Sequence, residues 1–101
     1  MLQMLIAAYH AALLEVRDSD ADAFNKNSMV VGANMVLSNF TRKRGCYTMH
    51  EMVIFKQVMD QHRLYVFGCC YGWSAIRISG AQMIKLEAEL DVIDSNHDPV
   101  V

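Results

Sequence analysis

RLYVFGCCYGWSAIRIS, Arg63 to Ser79, packs four aromatic residues, two adjacent cysteines and two glycines into seventeen positions. β-Branched and aromatic residues dominate on both sides of Tyr71-Gly72, which is the composition of two strands joined by a tight turn. With Tyr71-Gly72 as the loop, Cys69 faces Ser74, Phe67 faces Ile76 and Tyr65 faces Ile78. Strand alternation gathers these pairs on one mostly apolar face, with Tyr65, Phe67, Ile76 and Ile78 as core. The other face carries Leu64-Ser79, Val66-Arg77, Gly68-Ala75 and Cys70-Trp73, a mixed surface with Leu64, Val66, Trp73 and Arg77 as candidate interface residues. A two-stranded hairpin is marginally stable alone, so this second face is expected to meet its counterpart in another copy of the chain.

Helical patterns surround the stretch. In LQMLIAAYHAALLEVRD, Leu2, Leu5, Ile6, Tyr9, Ala12, Leu13 and Val16 recur at three- and four-residue steps, leaving Gln3, His10, Glu15 and Arg17 off the stripe. DSDAD, Asp18 to Asp22, combines N-cap residues with negative charge at the start of a second helix. That helix is expected from about Asp20 to Arg42, with Phe24, Val31, Met35 and Leu37 buried and TRKRG closing it. NKNS is a poor helix former and MVVGANMVL suits a strand equally, so residues 25–40 stay open between the two. Thr48 and Glu51 form a capping box ahead of a third helix from about Met49 to Gln61. Ser79 and Gln82 form another, followed by the stripe Met83, Ile84, Leu86, Leu90 and Ile93. From about residue 94 the chain reads as a flexible polar tail, which Pro99 keeps from continuing as helix.

The 101 residues suit one domain. The chain is 53% hydrophobic and 20% charged, richer in apolar groups than an average soluble domain. A chain this short leaves part of that apolar surface uncovered, and self-association is the simplest outlet. The net charge of −2 and pI of about 6.0 give no global attraction to nucleic acid or to an anionic membrane. MLQMLIAAYHAALL is too short to span a bilayer and lacks the basic flank and cleavage site of a signal peptide. Three cysteines without framework spacing suit a reducing cytoplasm.

Four constellations carry possible chemistry. Cys46, Cys69, Cys70, His50 and His62 are the zinc-ligating residue types, but adjacent strand positions point Cys69 and Cys70 to opposite faces, and buried thiols explain them better. Cys46, after Arg42, Lys43 and Arg44 and one turn before His50, is the candidate for a reactive thiolate. Asp18, Asp20 and Asp22 alternate as in a calcium loop, but Ala23 and Met29 stand where that loop needs Gly and Glu. Arg42, Lys43 and Arg44 are the possible nucleic-acid contact, though nine basic residues in all make a narrow patch.

The sequence therefore points to an α+β fold: three N-terminal helices, an antiparallel hairpin and a C-terminal helix, completed by dimerisation. The expected function is that of a non-enzymatic, homodimeric binding protein, without cofactor or metal, recognising another protein or a small apolar ligand. The alternatives are a nucleic-acid-associated regulator using residues 42–44 and a cysteine-dependent enzyme.

Overall fold

A computed structural model describes residues 1–44, 47–68 and 78–96, with the backbone alone at 42–44. Within these residues the chain forms α1 (Leu2–Asp18), α2 (Ala23–Arg44), α3 (Met49–Phe67) and α4 (Gly80–Asn96), and no strand. The fold is all-helical, and the α+β expectation is corrected. α1 touches each of the other helices, α3 and α4 pack on each other as well, and α2 packs chiefly on α1.

The correction turns on α3. This helix does not stop near Gln61 but runs on through Leu64, Tyr65, Val66 and Phe67. Four consecutive apolar residues carry no period of their own, and strand propensity is readily overridden by packing. Read at helical spacing, Val66 continues the buried row Phe55, Met59, Arg63. The helix ends at Gly68, whose φ of 67° is the left-handed conformation that glycine adopts without strain, and whose N–H donates to the Leu64 carbonyl at 2.7 Å. Strand alternation had put Tyr65 in the core and Val66 at an interface; the helix inverts both, with Tyr65 82% exposed and Val66 7%. Trp73, Arg77, Ile76, Cys69 and Cys70 lie outside the described residues.

The helix starts follow the local chemistry. Thr48 Oγ1 accepts from the Glu51 amide at 3.1 Å while Glu51 Oε1 accepts from the Thr48 amide at 2.7 Å. Ser79 and Gln82 repeat the exchange at the start of α4, at 3.0 and 3.2 Å. Asp22 caps α2 by accepting from the Asn25 amide at 2.8 Å. α1 has no side-chain cap of its own. Asp94, on α4, caps it from across the fold, accepting from the Leu2 and Gln3 amides at 2.8 and 2.6 Å and pairing with the Met1 amino group at 3.0 Å. Asp94 thus belongs to α4 rather than to a tail. Burial raises its pKa, but the Gln3 and Leu2 amides and the amino group together outweigh burial and hold the carboxyl below its ordinary 3.8. A depressed carboxylate stabilises the fold above its unfolded pKa, and this contribution is lost as pH falls below about 3.8.

The core joins Leu2, Ile6, Tyr9 and Leu13 of α1 to Val30, Ile54, Phe55, Val58, Met59, Val66, Leu90 and Ile93. α2 is helical throughout residues 25–40, but it buries a different side from the one expected. Val30 and Thr41 are buried, Val31 and Leu37 half-buried, and Phe24 and Met35 exposed.

Among the described residues, one charged side chain is buried in the core. Arg63, 2% exposed, pairs with Asp60 at 3.2 Å, and Asp60 also meets Lys56 at 3.4 Å. Tyr9 hydrogen-bonds to both Arg63 and Asn34, tying α1 to α3 and α2. Burial pushes the Tyr9 phenol up to about 12, with Arg63 opposing the shift. Removing one partner of a buried pair strands the other's charge, so Asp60→Ala should cost about 3 kcal/mol in urea unfolding. Adding Arg63→Met should return most of that loss; a double variant no more stable than Asp60→Ala would show that the guanidinium is not the source of the cost.

Candidate functional site

A cleft of about 480 Å³ lies between α1, α3 and the start of α4. α3 supplies Leu64 and Tyr65 from the turn that ends at Gly68, Ile78 leads into α4, and Met83 lies one turn inside α4. These residues form an apolar wall. On the same cleft His10 of α1, His62 of α3 and Glu87 of α4 converge.

The two imidazoles meet edge to face, with ring centroids 4.9 Å apart, and their Nδ1 atoms lie 3.0 Å from each other. One nitrogen must donate and the other accept. The Glu87 carboxylate, 3.5 Å from His62 Nε2, selects the tautomer: a proton on Nε2 faces the carboxylate and leaves His62 Nδ1 to accept from His10. Gln3 helps fix this end of α4 by donating from Nε2 to the Glu87 carbonyl at 3.1 Å. Tyr65 lies beyond His10 at the rim, with ring centroids 6.2 Å apart.

Burial lowers the His62 pKa below its ordinary 6.5, the neighbouring His10 lowers it further, and Glu87 opposes both. The unfolded chain therefore takes up a proton at His62 more readily than the folded one. Stability is full above about pH 6.5 and is lost as pH falls through the folded value. Thermal unfolding followed between about pH 7.5 and 5 should show a falling midpoint that His62→Gln flattens. An unchanged slope in that variant would remove His62 as its source.

The site residues expected from sequence are scattered. Leu64 lines the cleft, Val66 is in the core, and Trp73 and Arg77 are outside the described residues. Arg42, Lys43 and Arg44 form the last turn of α2. Cys46 is outside the described residues, as are Cys69 and Cys70. His50 and His62 are twelve residues apart on one helix, about 18 Å along its axis, and so cannot share an ion. Among the described residues no three His, Cys, Asp or Glu side chains gather as metal ligands, and no helix is long and apolar enough to cross a membrane. Sequence reasoning missed His10, read only as off the α1 stripe, and Glu87, and nothing in their spacing ties them to His62.

The chain matches no family model, no curated protein and no solved structure.

Proposed function

We propose that the protein acts by binding, without catalysis, and that the cleft between α1, α3 and α4 takes a small ligand with an apolar body and one polar head. The observation that carries this reading is the cleft itself. Its volume of about 480 Å³ falls within the range of small-molecule sites, and it has the expected make-up of an apolar wall with a few convergent polar groups. Leu64, Ile78 and Met83 would cover the body of the ligand, while the His10–His62–Glu87 row offers donors and acceptors to the head.

Binding is favoured over chemistry by the state of the serine hydroxyl in the cleft. Ser79 lines the same cleft, but its Oγ is engaged with Gln82, as acceptor from the amide at 3.2 Å and as donor to Oε1 at 3.3 Å. A nucleophile needs its base at hydrogen-bond distance, and Ser79 serves as a helix cap.

The test is a screen of aromatic and aliphatic fragments, each with one hydrogen-bonding head, followed by amide chemical shifts. Bound fragments should move the Leu64, Ile78 and Met83 signals, and Met83→Trp, which fills the cleft, should weaken binding at least about tenfold. No fragment shifting these residues, or undiminished binding to Met83→Trp, would contradict the reading.

A further inference from the structure

Once its tautomers are set, the His10–His62–Glu87 row has a direction. With both rings neutral, each imidazole carries one N–H. The His62 Nε2–H faces the Glu87 carboxylate at 3.5 Å, and the His10 Nδ1–H donates to His62 Nδ1 at 3.0 Å, so both donors are spent inside the row. What remains on the imidazoles is one acceptor. It is His10 Nε2, the ring nitrogen that takes no part in the contact with His62 and has no hydrogen-bond partner among the described residues. Hydrogen bonds in series polarise one another, so the Glu87 charge at one end of the row strengthens the lone pair at the other.

The charge of the cleft agrees with this direction. Among the described residues that line it there is no lysine or arginine, and Glu87 is the group with a formal charge. A row that ends in an acceptor and carries negative charge is complemented by a head that donates and is positive. An ammonium is both, with three N–H donors on a compact cation. Tyr65 adds an aromatic face at the same corner, its ring centroid 6.2 Å from that of His10, and cations are drawn to such faces. An anionic head would find no donor left on the imidazoles and would meet the Glu87 charge. The first-turn amides of α4, which favour anions, lie about 10 Å along the helix from Glu87.

We propose that the ligand of this cleft is an apolar primary amine, whose ammonium donates to His10 Nε2 while its hydrocarbon body lies on Leu64, Ile78 and Met83. The assignment rests on the small-ligand reading above and adds the chemical class of the head. Glu87 acts through His62 and by its charge, as a positioning residue without a contact of its own.

Three probes with one body and different heads test it: phenylpropylamine, phenylpropanol and phenylpropanoate. They are titrated by amide chemical shifts at low salt and about pH 8, above the ordinary imidazole range and below that of an alkylamine. The amine should bind about fivefold tighter than the alcohol, and the carboxylate weakest of the three. Glu87→Gln keeps an acceptor for the His62 Nε2–H and removes the charge, so it should bring the amine to the affinity of the alcohol and leave the alcohol within about twofold. His10→Phe removes the terminal acceptor and should weaken amine and alcohol alike, at least about fivefold, with circular dichroism confirming that the variant is folded. The comparison of heads on the unaltered chain needs neither variant. An alcohol or carboxylate that moves the Leu64, Ile78 and Met83 signals with the affinity of the amine or better overturns the ammonium assignment and leaves the small-ligand reading standing. An amine preference that survives Glu87→Gln overturns the part given to the row. No probe moving these signals overturns the assignment together with the reading beneath it.

Discussion

The described fold depends on how the first turn of α1 is satisfied. A helix start leaves four amides without intrahelical partners, and Met1 offers them no side-chain cap. Asp94 supplies acceptors for two of them from the far end of the described chain, and its bonds are charge-assisted. The contact fixes α4 against α1 in rotation and in height. Gln3 and His10 stand two turns apart on α1, and Glu87 and Asp94 two turns apart on α4. Once Asp94 holds the first turn and Gln3 reaches the Glu87 carbonyl, the Glu87 side chain comes to His62, and His62 meets His10.

A second polar contact does comparable work about two turns further along α1. Tyr9 joins Arg63 and Asn34, so one residue orients α2 and α3 about the central helix. Such groups contribute little net stability compared with the apolar core around them, but they tolerate few alternative packings. Helix faces made of Leu, Ile, Val and Met can slide past one another at modest cost, whereas a buried guanidinium that loses its carboxylate cannot.

Local chemistry was legible in the sequence, and long-range placement was not. The Thr48-Glu51 and Ser79-Gln82 boxes depend on atoms three residues apart and form as read, whereas the second helix, expected from about Asp20, starts at Ala23 behind an Asp22 cap. The stripe of α1 is legible because one face is apolar and the other is not. Leu64 to Phe67 carry no such contrast, so side-chain type suggested a strand while Gly68, the actual stop, was taken as a strand position. α2 has apolar residues on most sides, and the identity of its buried face depends on what α1 offers it. Asp94 looked like the start of a tail because DSNHDP is polar, whereas its acceptors are taken up by amides 91 and 92 residues away. The His10–His62 contact spans 52 residues and leaves no trace in spacing.

Amide hydrogen exchange at Leu2 and Gln3 tests the central contact most directly. First-turn amides of an ordinary helix exchange close to the unfolded-chain rate, because water is their partner. If Asp94 caps α1 across the fold, the Gln3 amide, at 2.6 Å from the carboxylate, should exchange at least about a hundredfold more slowly than an unfolded chain, and Leu2 should be slowed with it. Exchange at both positions within a few-fold of the unfolded rate would contradict the account.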